Sequence, residues 1–115
     1  MPKKIKSSTT IDSVGNKPKT INEFIGLANS KTSSLSIAHM QLSGGWPEPG
    51  QRPDFDEYTI ILEGRLKIET EDDILYINSE QAIITYGGEW VNTVRQIRMM
   101  LNILQFVSQL IRLKQ

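Results

Sequence analysis

Glu57 to Glu69 reads EYTIILEGRLKIE, and this stretch decides the fold. The β-branched run Thr59-Ile60-Ile61 and the later alternation of Leu66 and Ile68 predict two strands around Glu63-Gly64. On the N-terminal side, Leu35, Ile37, Ala38 and Met40 form a strand-like run that ends at Gly44-Gly45. On the C-terminal side, Glu71-Asp72-Asp73 is a turn and Ile74 to Ile77 a third strand. Gln81 to Tyr86 is a fourth, closed by Gly87-Gly88. The connection Trp46-Pro47-Glu48-Pro49-Gly50-Gln51-Arg52-Pro53 is rich in proline, which forbids a helix or a central ladder strand there. Short strands parted by turns every eight to twelve residues or about that predict an all-β sandwich or barrel.

The flanks differ from this centre. Residues 1–33 read as an N-terminal arm whose first residues are polar and expected to be mobile. Within it Gly15-Asn16-Lys17-Pro18 is a turn by composition, and TINEFIGLA from Thr20 fits a strand or a helical turn equally. Residues 34–91 hold the barrel. In residues 92–115, apolar Val94, Ile97, Leu101, Leu104, Val107 and Ile111 fall at helical spacing. That pattern predicts a basic amphipathic helix of roughly five or six turns, packed on the barrel or on a second chain.

The chain has 115 residues and 38% apolar content, enough for one domain with a single core. Thirteen basic residues balance thirteen acidic ones, so a nucleic-acid partner is not expected. Charge is unevenly spread: residues 1–20 carry net +4, residues 48–73 net −6 and residues 92–115 net +4. There is no Cys, which excludes disulfides, thiolate metal sites and a Cys nucleophile. A single His, His39, excludes a multi-histidine cage. No apolar run approaches the ~20 residues that cross a bilayer, and MPKKIKSST lacks the apolar segment of a secretory signal. The expectation is a soluble cytoplasmic protein without a membrane partner.

The centre resembles the cupin superfamily of small double-stranded β-helix, or jelly-roll, barrels. Gly45, Glu57 and Gly64 keep the spacing of the first cupin motif, whose two His positions hold Gln51 and Pro53 here. In the second motif Gly87 is kept, Ser79 stands at its start, Thr85 replaces Pro, Trp90 replaces His and Val94 replaces Asn. The chain is similar to small bacterial single-domain cupins that share GNKPK, FDEYT and GEWV, and around DEYTIILEG to ethanolamine-utilisation cupins. The resemblance implies an all-β jelly-roll barrel in which Glu57 points inward. Ordinary cupins hold a transition metal through histidines and this glutamate; with Glu57 alone kept, no metal and no cofactor is expected. Oxygens of Gln51, Glu57 and nearby Glu48, Asp54 or Asp56 could hold a hard cation, but an empty or ligand-filled pocket is the stronger expectation. Similar cupins close their barrels with further strands. Codons for Asn92 to Lys114 can be chosen so that the frame starting one base earlier reads such a pattern. A frame change in the gene is therefore an expectation, tested by reading the coding DNA.

Glu57 is the candidate catalytic residue, because an apolar barrel favours the protonated form of a carboxyl and suits it to acid–base work. Its bland counterpart is a carboxylate satisfied by backbone or by Tyr86. Gln51, Glu57, Tyr86, Trp90 and His39 are the candidate ligand-binding residues. Gln51 would orient a ligand through its amide, Trp90 would fill the space of the missing metal or wall the pocket, and His39 would stand at its mouth. Trp46 and the proline-rich loop are expected as a rim. Three functions stay open: binding of a small polar molecule, a metal-independent isomerase or lyase using Glu57, and a non-catalytic assembly or regulatory subunit. A homodimer is expected from the barrel edges and the apolar tail.

Overall fold

The structure is a computed structural model and describes residues 1–11, 19–42, 50–95 and 101–108. The strands in order are β1 (Thr9–Ile11), β2 (Lys19–Ile25), β3 (Leu35–Leu42), β4 (Glu57–Glu63), β5 (Arg65–Thr70), β6 (Ile74–Asn78), β7 (Ala82–Thr85), β8 (Val91–Arg95) and β9 (Leu101–Ser108). They form two antiparallel sheets: six strands in the order β1-β2-β3-β9-β4-β7, and three in the order β6-β5-β8. The two inner faces enclose one core of Met40, Leu42, Ile61, Leu66, Ile68, Ile77, Leu101 and Ile103. This is the all-β jelly roll expected from the centre of the sequence.

Strand alternation sets what reaches that core. On β4, Thr59 and Ile61 are buried while Tyr58 and Leu62 are exposed. On β5, Leu66 and Ile68 point inward and Arg65, Lys67 and Glu69 outward. The strands on either side of Glu63-Gly64 are not a hairpin. β4 pairs with β7 and β9, whereas β5 pairs with β6 and β8. Gly64, at φ 98°, turns the corner between the sheets, a conformation that penalises a Cβ. The Glu71-Asp72-Asp73 turn does close a hairpin, β5–β6: Thr70 N–H donates to the Asp73 carbonyl at 2.8 Å, and Asp73 N–H donates to Thr70 Oγ1 at 2.9 Å.

Two readings of the flanks need revision. The ambiguous segment from Thr20 is a strand, β2, locked to β3 by the register Ile21↔Met40 and Glu23↔Ala38. The tail is not a helix over its described residues. It supplies β8 and β9, and β9 lies between β3 and β4 in the middle of the large sheet. Leu101 and Ile103 face the core from β9 while Leu104 and Phe106 face the other way. A central strand that is apolar on both faces has no period-two signal, and its residues then fall by chance at three-and-four spacing. The turn at Gly15 to Pro18, the Gly44-Gly45 turn and the rim residues Trp46 to Pro49 lie outside the described residues.

Candidate functional site

Between the sheets lies a cavity of about 250 Å³. It is lined by the aliphatic Leu42, Leu66, Ile68 and Ile103 and by the polar Glu57, Thr59, Thr85, Gln105, Gln51 and Thr93. On the large sheet register orders them: Glu57 and Thr85 share one row, Thr59 and Gln105 the next, and Ile61 and Ile103 the one beyond. Along β4 the inward residues are Glu57, then Thr59, then Ile61, passing from a half-buried carboxylate through a buried hydroxyl to a side chain with 0% exposure.

Register explains why these groups meet. Glu57 pairs with Thr85 on β7, and Thr59 pairs with Gln105 on β9, where Gln105 Nε2 donates to Thr59 Oγ1 at 3.4 Å. Gln51 and Val91 form a two-bond antiparallel bridge, each N–H donating to the other's carbonyl at 2.8 Å, and this brings the Gln51 side chain to the cavity. The approach to Glu57 is fastened from outside. Gly87 N–H donates to Asp56 Oδ1 at 2.8 Å and Gly88 N–H to the Pro53 carbonyl at 2.6 Å. Arg52 donates to the Gly88 carbonyl at 3.1 Å and pairs with Glu71, tying the same segment to the β5–β6 turn.

Of the five residues singled out from the sequence, the structure brings Glu57 and Gln51 together on the cavity. His39, Tyr86 and Trp90 are not among its lining residues. Met40 and Leu42 take the inner face of β3, so His39 takes the outer one, with Asn22 and Leu104 beside it across the strands. It does not stand at the cavity mouth. Tyr86 lies just past the end of β7 and its side chain is 45% exposed. Trp90 is half-buried, and its indole rests on Gly50 so closely that a Cβ there would collide with the ring. Its ring lies against Gly50 and is not part of the cavity lining. Thr59, Thr85, Thr93 and Gln105 were missed. Period two from Glu57 already pointed to Thr59, but Gln105 was concealed by the helical reading of the tail.

A transition metal does not fit these residues. Among the described residues the cavity offers a single carboxylate, carboxamides and hydroxyls, and the imidazole of His39 is on the other face of β3. Among the described residues no three His, Cys, Asp or Glu side chains cluster as a metal site. Asp56, a candidate partner for a hard cation, is engaged by the Gly87 N–H.

Fold and cavity together define a cupin-fold protein. Over 98% of the chain it matches the polyketide cyclase RemF from Streptomyces resistomycificus, with a TM-score of 0.77, 15% identity and 83% of that chain covered. It is also similar to an RmlC-like cupin from Shewanella frigidimarina (TM-score 0.72, 9% identity, 90% of this chain and 85% of that one). A third likeness is to the Clostridium difficile EutQ protein (TM-score 0.65, 12% identity, 79% of this chain and 62% of that one). At such identities the likeness is one of fold. No protein-family profile matches the chain. Among curated proteins, 53 residues are 51% identical to a segment of endoribonuclease YbeY from Myxococcus xanthus. That segment is 46% of this chain and only 18% of that protein's length.

Proposed function

We propose that this protein binds a small polar molecule in the barrel cavity, with the Glu57 carboxylate and the Gln51 and Gln105 carboxamides holding its polar end. The observation that carries the reading is the polarity gradient along β4, from Glu57 through Thr59 to Ile61. Six polar side chains share the cavity wall with aliphatic ones, a lining suited to a guest with several hydrogen-bonding groups. The volume of about 250 Å³ restricts that guest to a small molecule. No metal or cofactor enters this reading. The endoribonuclease name belongs to a protein of which the shared segment is under a fifth, and a nucleic-acid substrate is not carried over from it.

A second reading is favoured by one observation: Glu57 is the one ionisable side chain on the cavity wall among the described residues, and it is flanked by hydroxyls. A carboxyl so placed can pass a proton between two positions of a bound substrate, as a metal-independent isomerase or lyase requires. A homodimer in the cytoplasm belongs to the same proposal. No helix among the described residues is long and apolar enough to cross a membrane.

Thermal shift against separate panels of small polyols, amines and carboxylic acids tests the binding reading. At least one class is expected to raise Tm of the wild type and to leave Glu57→Gln and Gln51→Ala unmoved. Stabilisation by no class, or equal stabilisation of Glu57→Gln, overturns it. Turnover of the stabilising ligand by the wild type and not by Glu57→Gln selects the enzyme over the binding protein.

A further inference from the structure

The charge around the cavity has one sign. Among its described lining residues there is one acid, Glu57, and no Lys, Arg or His. Residues 50–57 and the turn after β7 frame the Glu57 row, joined by the Gln51–Val91 bridge and by the bonds from Gly87 and Gly88. These segments carry the same sign. Residues 50–57 add Asp54 and Asp56 and residues 85–91 add Glu89, while Arg52 is the one base in either segment. Arg52 pairs with Glu71 and donates to the Gly88 carbonyl, so its charge is matched within the protein. Asp56 and Glu89 accept the backbone N–H groups of Gly87 and Tyr86 at 2.8 Å and 2.7 Å. Bonds from neutral N–H groups leave the charge of a carboxylate in place. A hollow bordered by acids concentrates cations and repels anions.

We infer that the cavity selects a small protonated amine, with its ammonium group between Glu57 and Thr85. The inference rests on the binding reading above and adds the charge of the guest. Two features choose an ammonium over a neutral or anionic head. The first is the sign of the charge just described. The second is the balance of donors and acceptors. An ammonium group has three N–H donors and no acceptor. Glu57 and Thr85 face each other across β4 and β7, a pairing that sets Cβ atoms about 5 Å apart. Thr59 follows on the same side of β4, and Gln51 reaches the wall from its bridge to Val91. The carboxylate, the hydroxyls and the carboxamide oxygen can each accept from such a head. A carboxylate guest in the same place would set like charges against each other, which disfavours the ionised form of both. The aliphatic part of the wall, Leu66 and Ile103 among it, receives a short hydrocarbon chain.

Isothermal titration calorimetry of the intact chain is the test, with 4-amino-1-butanol, 1,4-butanediol and 4-hydroxybutyrate as probes of one carbon skeleton. They differ at one end only, which is ammonium, hydroxyl or carboxylate at neutral pH. The amine is expected to bind at least about tenfold more tightly than the diol, because a charge-assisted bond replaces a neutral one, and the acid is expected to bind most weakly. Glu57→Gln keeps the shape of the side chain and removes its charge. It is expected to erase the preference for the amine, with far-UV circular dichroism unchanged. Glu69→Gln, at an outward position of β5, is expected to keep it. Diol binding as tight as amine binding, or tightest binding of the acid, overturns the inference and leaves the binding reading standing. So does a preference that survives in folded Glu57→Gln or disappears in Glu69→Gln. The ranking on the wild type needs no variant, so it carries the test should Glu57→Gln not fold. No heat from any probe at up to about 10 mM overturns the inference, and the binding reading falls with it when the wider panels are also silent.

Discussion

Gly87 N–H donates to the Asp56 carboxylate at 2.8 Å, and this bond holds the residue next to Glu57 against the turn that follows β7. The same glycine lies so close to the preceding segment that a Cβ would sit 2.7 Å from the Asp54 carbonyl oxygen. Backbone faces it there, so nothing flexible can give way. The glycine at this place in the second cupin motif thus has a local reason: it lets the β7 turn lean on the entrance to β4.

Gly87→Ala is therefore expected to destabilise the fold by about 1–3 kcal/mol, since the contact is with main chain. Denaturant unfolding measures it. Asp56→Ala, which removes the acceptor and keeps the glycine, is expected to cost about 1–3 kcal/mol through the unsatisfied N–H.

Ile61 is wholly buried where the two sheets meet, so Ile61→Ala is expected to cost about 2–5 kcal/mol from lost transfer energy and the cavity left behind. Ile74→Ala, at an exposed position, is expected to cost less than about 1 kcal/mol. Equal losses in chemical denaturation would contradict the described core.

Glu23 is a buried carboxylate at 7% exposure whose Oε2 accepts the Asn29 N–H at 2.9 Å. Asn29 in turn donates through Nδ2 to the Glu23 carbonyl at 3.1 Å and the Ser7 carbonyl at 2.8 Å. Glu23→Ala strands a part-buried donor and loosens the arm from β2. A loss of about 1–3 kcal/mol is expected, with faster amide exchange at Asn29.

Elemental analysis of protein purified without chelator is expected to find well under one transition-metal ion per chain. Among the described residues the cavity offers one carboxylate and the neutral donors of amides and hydroxyls, a set that binds such ions weakly. A full equivalent that survives dialysis would contradict this.

The sequence made the centre legible because its strands are one-sided. Leu66 and Ile68 alternate with Arg65, Lys67 and Glu69, and the turn residues between strands carry their own backbone chemistry. It concealed β9 because Leu101, Ile103, Leu104 and Phe106 are apolar on both faces, and only the place between β3 and β4 tells strand from helix. The site was legible to the same degree. Glu57 follows from the cupin spacing. Alternation groups His39 with Gln41 and against Met40, but it cannot say which group faces inward; packing decides that. Trp90 lies against Gly50 rather than on the cavity wall, a close approach that only the absence of a Cβ at position 50 permits and that no composition rule announces. The expected frame change over residues 92–114 remains a proposal, and the coding DNA decides it.

The ordering along β4 has a directional outcome. Since carboxylate, hydroxyl and aliphatic side chain succeed one another on a single strand, a molecule held as proposed would be oriented by β4 itself, its polar groups beside Glu57 and Thr85 and any hydrocarbon toward Ile61 and Ile103.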